Sequence, residues 1–408
     1  MHHATAIATG RDTSLFASDL RDAADALREA VCGARILAVG AAGSIGSNTV
    51  HTLAAFAPKT LHIVDQNENA LAELVRQVRS APTPFPVEDF RTLPLDYGSA
   101  ATHALMAAEG PYDYILNFAA IKHVRSEKDP YSILQMFDTN IVKQARFRRW
   151  IAELSPQADY FSVSTDKAAN PVSFMGATKR VMEHVLFDSA KEIGLKGKVT
   201  TARFANVAFS NGSLLQAFEQ RLARKEPIAC PKNIQRYFVS LEESGHICAL
   251  ASVIAPHAHI AIPRLDPKDS LVLLEDIARA FIEGNGLQAV EFDDERAACE
   301  AAAALHAEGR YPLLLTPADT AGEKPYEEFV GEGEETTEIG LKNMLAVYYK
   351  GVLGSTPFAD VLTEMEEIVL HAHKVDLAKS TLKDLIGRIE PRFLAAHIES
   401  TRNLDQRA

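Results

Sequence analysis

The chain is poor in cysteine, short of basic charge and without a long apolar run, and each shortage removes a class of protein. Its four cysteines, Cys32, Cys230, Cys248 and Cys299, are scattered with no C-x-x-C spacing, so neither a zinc site nor a disulfide framework is indicated. No stretch reaches the roughly 18 apolar residues a membrane helix needs. Residues Met1 to Arg11 lack the charged start and apolar core of a secretory signal, and a reduced, cytoplasmic protein is expected. With 42 Lys and Arg against 54 Asp and Glu, the net charge is -12. Nucleic acid and anionic membrane surfaces are therefore poor partners, since both need a basic face. His371 and His373 are two residues apart and would not share a helix face, so no metal site is expected from them.

What is present is an ordinary globular composition, 47% hydrophobic and 24% charged, on a chain longer than the roughly 100–200 residues of one domain. Thr13 to Val31 carries apolar residues at helical spacing behind Ser and Asp, which predicts an N-terminal helical extension over residues 1–33. Short apolar or β-branched runs then alternate with helical stretches: Ala34 to Gly40, Thr60 to Asp65, Tyr112 to Ala120, Asp159 to Asp166 and Lys198 to Val207. That alternation predicts a doubly wound parallel sheet over residues 34–212. Residues 213–345 loosen around Pro227, Pro231, Pro263 and Pro267, with a helix expected over Leu274 to Glu283 and a solvated acidic loop over Glu332 to Glu338. They predict a smaller mixed α/β lobe. Residues 346–408 read as a helical C-terminal extension, interrupted at Gly387 and Pro391, whose role is packing or contact within a homo-oligomer.

The segment from Ala34 to Gly46 is a buried strand running into Gly40, Gly43 and Gly46, followed by a helix from about Ser44. Glycines there permit a tight turn, close approach of backbone N–H groups to a pyrophosphate, and close helix–strand contact, and the helix N-terminus favours negative charge. Ser44 and Ile45 complete that turn. Asp65, about twenty residues on, ends the second strand where a carboxylate accepts ribose hydroxyls and repels a 2′-phosphate. NAD rather than NADP is the expected cofactor, with Gln66 beside the ribose and Asp96 and Tyr97, ending the third strand, near the adenine.

Ser162-Val-Ser-Thr-Asp-Lys-Ala-Ala-Asn-Pro-Val-Ser-Phe-Met-Gly-Ala-Thr-Lys179 is the most informative stretch. It resembles the active-site segment of the UDP-N-acetylhexosamine 4,6-dehydratases of the CapD-like polysaccharide-biosynthesis family, within the extended short-chain dehydrogenases/reductases. Asn117 to Val124 resembles the family's Ala-Ala-x-Lys-His-Val, and Arg203 to Val207 with Asn211 to Ser213 resembles its Arg-x-Gly-Asn-Val and Gly-Ser. Gln235-Arg-Tyr-Phe238 and Gly322-Glu-Lys324 match two later motifs. The resemblance spans about Arg35 to Glu335. Met175 stands where most short-chain enzymes have tyrosine, as in one branch of the family, and Thr320 stands where the family has an arginine.

The resemblance implies a 4,6-dehydration of a UDP-N-acetylhexosamine through a bound dinucleotide. Asp166 would be the acid and Lys167 the base, an adjacent pair able to divide those tasks. Lys179 would hold the nicotinamide ribose, and Thr165 would assist at the carbon 4 hydroxyl in place of the phenol lost at Met175. Ala119, Ala120, Lys122, Asn140 and Ser164 would join the cofactor site, and His123, Lys167, Asn206, Ser213, Arg236 and Glu323 the substrate site, Arg236 as a diphosphate contact. A net epimerase or 4-ketoreductase on a related nucleotide sugar is the alternative, though it has less use for the Asp166–Lys167 pair.

Overall fold

The computed structural model describes residues 3–398 except 83–84, 123–126, 128, 189–192, 318–323, 353, 355 and 376. Six strands come first: β1 (Arg35–Val39), β2 (Thr60–Val64), β3 (Asp89–Leu93), β4 (Tyr114–Asn117), β5 (Asp159–Val163) and β6 (Val199–Ala202). They are followed by β7 (Asn206–Val207), β8 (Ile228–Pro231), β9 (Gln235–Val239), β10 (His259–Pro263) and β11 (Leu271–Leu273). The last are β12 (Gln288–Phe292), β13 (Arg310–Thr316), β14 (Thr336–Glu338) and β15 (Met344–Tyr348). The main sheet has nine strands in the order β14-β15-β10-β6-β5-β4-β1-β2-β3. From β10 to β3 every pairing is parallel, and β15 and β14 add an antiparallel edge.

Strand β1 is apolar because both faces are covered: Ile36, Leu37, Ala38 and Val39 are each fully buried. The chain winds from β1 outward through β2 to β3, then returns to place β4 on the other side of β1. That reversal opens a crevice at the carboxyl ends of β1 and β4, where open α/β sheets bind ligands. The expected run Lys198 to Val207 splits: the chain leaves the sheet after β6, and β7 pairs with β9 in a separate three-stranded sheet. A further small sheet, β12-β13-β8, completes the second region. Strands β10, β14 and β15 come from the stretch read as the second lobe, or its border, yet join the main sheet.

The helix expected over Thr13 to Val31 is two helices, Ala17–Asp22 and Ala24–Val31, with a break at Ala23, and a further helix His3–Thr9 precedes them. Arg11 straps this extension down by donating from Nε and Nη2 to the two oxygens of buried Glu243, at 2.9 and 2.8 Å. The C-terminal region forms helices Phe358–Leu370, Lys379–Ile389 and Pro391–Ala396. Gly387 does not interrupt its helix; it makes room for Leu394, whose side chain a Cβ at Gly387 would meet at 2.4 Å. Val361, Met365, Leu382, Leu385, Ile386, Ile389 and Phe393 of these helices share one apolar core with Phe174, Met175, Val181 and Val185 of helix Phe174–Phe187. Truncating one such large side chain typically costs about 2–5 kcal/mol, so the extension is structurally coupled to the helix that bears Met175 and Lys179. Among the described residues, no helix is long and apolar enough to cross a membrane.

Candidate active site

A cavity of about 1420 Å³ opens along the carboxyl ends of the main strands and runs beneath the second region. It exceeds the roughly 300–1,000 Å³ of a pocket for one drug-sized ligand. Gly40, Gly43, Ser44, Ile45 and Gly46 form one wall, with Asp65, Gln66, Asp96 and Tyr97 beyond them.

The three glycines have different reasons to be glycine. Gly40 has φ +67° and its missing Cβ would lie 2.3 Å from the Ala119 nitrogen; at Gly46 a Cβ would lie 2.5 Å from the Ala41 Cα. Those two are demanded by the protein itself. Gly43, the N-cap of helix Ser44–Ala54, has φ -70° and would bring a Cβ no nearer than 3.5 Å, to the Gly40 carbonyl. The space before that helix N-terminus is therefore open, as close approach by an anion requires. Asp65 accepts from the Ala42 and Asn67 amides at 3.1 and 2.9 Å, which fixes its carboxylate over the turn. These residues fit a dinucleotide.

Asp96 and Tyr97 line the cavity but lie past β3, which ends at Leu93, rather than at its terminus. The Asp96 carboxylate is held by Lys143 Nζ at 2.6 Å, and the Tyr97 hydroxyl donates to the Thr139 carbonyl. Asn140 does not reach the cavity. It sits in a π-helical turn, Asp138–Val142, where its amide bonds the Ile121 backbone on both sides and the Thr178 hydroxyl. It thus splints the loop that carries Ala119, Ala120 and Lys122, all three of which line the cavity. Burial lowers the Lys122 ammonium below its ordinary range. His123, Glu323 and Thr320 lie outside the described residues.

The end of β5 delivers the second constellation. Ser164, Thr165, Lys167, Met175 and Lys179 all face the cavity, while Asp166 lies just behind them, 1% exposed. Asp166 Oδ1 accepts from Thr165 Oγ1 at 2.8 Å, from the Lys167 amide at 2.8 Å and from Lys167 Nζ at 3.1 Å. Its Oδ2 is buried with no hydrogen-bond partner among the described residues. Lys167 Nζ also stands 3.5 Å from Asn206 Oδ1. Lys179 Nζ donates to the Val163 carbonyl at 2.7 Å, and burial pushes its ammonium down to about 8, the nearby Glu183 charge opposing. Met175 puts a thioether at its position in place of a phenol.

On the opposite wall Ser213 caps helix Leu214–Arg224, accepting from the Gln216 amide at 3.2 Å, and Arg236 stands on β9. Arg236 Nη1 is anchored to the Gln235 and Lys324 carbonyls at 2.8 and 2.9 Å. Both residues line the cavity with Asn206.

Several residues that matter here carry no obvious signal in the sequence. Glu334, inside the run expected to be solvated, instead has a side chain only 10% exposed and is paired with Arg203 and Arg180 at 2.6 and 2.7 Å. Burial opposes its charge, but the Arg203 and Arg180 guanidiniums prevail and hold it down at about 2. Arg203 also pairs with Glu183 at 2.7 Å, and Glu183 accepts from Ser164 Oγ at 2.6 Å. Glu390 of the C-terminal extension joins the same network through Arg180 at 3.2 Å and His184 at 2.5 Å. So the motif arginine Arg203 is a buried structural cation behind the site. Elsewhere, His62, Asp89 and Glu109 come within reach of a shared cation. Arg91 pairs with both of those carboxylates at 2.7 and 2.9 Å, which makes the group an ion-pair cluster at the start of β3.

The chain is similar to known proteins over much of its length. A protein of Methanocaldococcus jannaschii, described as an uncharacterised membrane protein, is 28% identical over 86% of this chain and 95% of its own length. An inverting UDP-N-acetylglucosamine 4,6-dehydratase of Campylobacter jejuni is 28% identical over 52% of this chain, which spans 61% of that enzyme. Among solved structures, Pen from Bacillus thuringiensis superimposes with a TM-score of 0.62 at 20% identity, covering 84% of this chain and 99% of that one. The enzyme WbmF of Bordetella bronchiseptica, solved with NAD+, has a TM-score of 0.51 at 16% identity, covering 63% and 81%. The family model described as polysaccharide biosynthesis protein matches residues 36–348, and the chain belongs to that family.

Proposed function

We propose that the protein is an NAD-dependent, redox-neutral 4,6-dehydratase of a UDP-N-acetylhexosamine, UDP-N-acetylglucosamine first among them, yielding a 4-keto-6-deoxy sugar for surface polysaccharide or glycoconjugate synthesis. The observation that carries it is the triplet Thr165–Asp166–Lys167: a hydroxyl, a buried carboxylate and an amine linked through one oxygen at 2.8 and 3.1 Å, with Met175 where a phenol would otherwise act. A dehydratase needs a proton taken at one carbon and given at another, and such a pair divides those tasks. The Campylobacter relative lends support through its own activity. Asp65 at the ribose position favours NAD, since a second negative charge on a 2′-phosphate would face its carboxylate.

Gly40, Gly43, Gly46, Asp65 and Lys179 would hold the dinucleotide, which supplies when bound a hydride acceptor for carbon 4 and a hydride source for carbon 6. Thr165 passes the proton of the carbon 4 hydroxyl to Asp166 Oδ1. The Lys167 amine takes the carbon 5 proton, which the new carbonyl has acidified. Asp166 then returns its proton to the carbon 6 hydroxyl, which departs as water. Once carbon 6 is reduced, the Lys167 ammonium reprotonates carbon 5. Each residue ends as it began. Arg236 and Ser213 are the residues to bind the diphosphate, with His123, Asn206 and Glu323 completing the sugar and nucleotide site. Incubation with UDP-N-acetylglucosamine in deuterated water without added reductant tests this by mass spectrometry. Loss of water with one deuterium at carbon 5 is expected; a carbon 4 epimer, or no reaction with any UDP-hexosamine, overturns it.

A further inference from the structure

Beside Lys167 stands a second carboxylate that the scheme above does not use. Glu327, 4% exposed, places Oε1 3.8 Å from Lys167 Nζ and Oε2 4.0 Å from Lys324 Nζ. Lys324 is itself engaged, donating to the Asn170 carbonyl at 2.5 Å. The Lys167 ammonium thus sits among three acceptors: Asp166 Oδ1 at 3.1 Å, Asn206 Oδ1 at 3.5 Å and Glu327 Oε1 at 3.8 Å. A base for carbon 5 must be a free amine, so a proton on Lys167 needs an acceptor within reach. Asp166 cannot take that proton and also receive one from the carbon 4 hydroxyl.

We propose that Glu327 takes the proton that Lys167 must shed, which makes it the positioning residue that sets the free amine ready for carbon 5. The transfer breaks one N–H bond of the Lys167 ammonium and forms one O–H bond on Glu327, with no change in net charge. The amine is regenerated when Lys167 reprotonates carbon 5, so Glu327 keeps its proton through turnover and returns it to Lys167 when the product leaves. Burial raises the proton affinity of Glu327 above that of an ordinary carboxylate; the Lys167 charge opposes, Asp166 adds to it, and Arg236 and Lys324 oppose. These are the charged groups facing it from the end of β5, from β9 and from its own segment.

The inference rests on the dehydratase reading for its place in the reaction, but the proton store itself is measurable without any sugar. The NAD-loaded enzyme is treated with an amine-acylating reagent over a range of pH, and the rate at Lys167 is read by peptide mass spectrometry. Two sites sharing one proton give a free-amine fraction that is level between their two titrations. The wild-type rate is therefore expected to level off around neutrality, whereas in Glu327→Gln it climbs about tenfold per pH unit through the same range. Glu327→Asp, which keeps the carboxylate, restores a level region if the glutamine variant melts early. Turnover of UDP-N-acetylglucosamine by Glu327→Gln falls by roughly 100-fold at neutral pH and recovers towards alkaline pH. A wild-type rate that climbs through neutrality, or a level region surviving in Glu327→Gln, overturns the proposal. A level region that Glu327→Gln abolishes, in an enzyme that dehydrates no UDP-hexosamine, confirms the proton store and refutes the reaction class instead.

Discussion

Replacing Gly40 and then Gly43 of the glycine turn by alanine separates what the fold needs from what the proposed ligand needs. In Gly40→Ala the backbone must stay at φ +67° with a methyl group 2.3 Å from the Ala119 nitrogen. The left-handed conformation costs roughly 1–2 kcal/mol and forced overlap in a close-packed interior a further 1–3 kcal/mol. A loss of about 3 kcal/mol is expected, visible as a lowered melting temperature with or without NAD. Gly43→Ala is different, because φ -70° suits alanine and the nearest atom to its Cβ is 3.5 Å away. Its cost to the fold is that of a poorer helix N-cap, below about 1 kcal/mol. The new methyl instead stands before the helix N-terminus, where the pyrophosphate is to lie. NAD affinity is expected to fall at least about tenfold, or 1.4 kcal/mol, with the melting curve of the ligand-free protein almost unmoved. Thermal melts and calorimetric titration with NAD read both quantities. Wild-type affinity in Gly43→Ala refutes the placement of the dinucleotide.

Three further outcomes follow from the same geometry. Asp166→Asn and Lys167→Ala should each lower dehydration by roughly 10²–10⁴ while leaving NAD affinity intact; activity retained in both removes the pair from the mechanism. Thr165→Val deletes the hydroxyl 2.8 Å from Asp166 Oδ1 and should slow oxidation at carbon 4, read as slower NADH absorbance in a single turnover, whereas an unchanged rate refutes the relay. Glu127, whose Oε1 accepts from the Met175 amide at 2.9 Å, is pushed up to about 7 by burial, with the Met175 and Phe174 amides, Lys379 and Ser173 opposing. A carboxyl with a raised native pKa makes the fold less stable as pH climbs from its unfolded value near 4.5 towards 7. Glu127→Gln should therefore melt higher than wild type at pH 8, by about 1–3 kcal/mol, and no higher at pH 4; equal melting at pH 8 contradicts the burial effect.

How much of this could be read beforehand depended on how local each feature is. The turn Gly40 to Gly46 and the triplet Thr165–Asp166–Lys167 are legible because backbone geometry and neighbouring residues alone define them. The third strand is expected to end at Asp96 and Tyr97 but ends at Leu93: Asp89-Phe-Arg-Thr-Leu93 is an edge strand whose residues are only partly buried or exposed, so no apolar run marks its bounds. Arg203 and Glu334 read as a motif cation and a loop acid, yet 131 positions separate them in a partly buried pair. Glu327 and Lys167, 160 positions apart, are brought together in the same way, which charge spacing along the sequence does not encode. The resemblance puts Asn140 at the cofactor, whereas its amide is used up on the Ile121 backbone and Thr178. The C-terminal helices gave apolar spacing but not their partner, the helix that bears Met175.

The central claim is that the hydride is borrowed from carbon 4 and returned to carbon 6 of the same sugar. UDP-N-acetylglucosamine deuterated at carbon 4, turned over by the NAD-loaded enzyme in ordinary water and examined by proton and deuterium NMR, tests it most directly. The account predicts a 4-keto-6-deoxy product with the deuterium on carbon 6. Deuterium found again at carbon 4 of an epimer, or lost from the sugar into the cofactor, would contradict it.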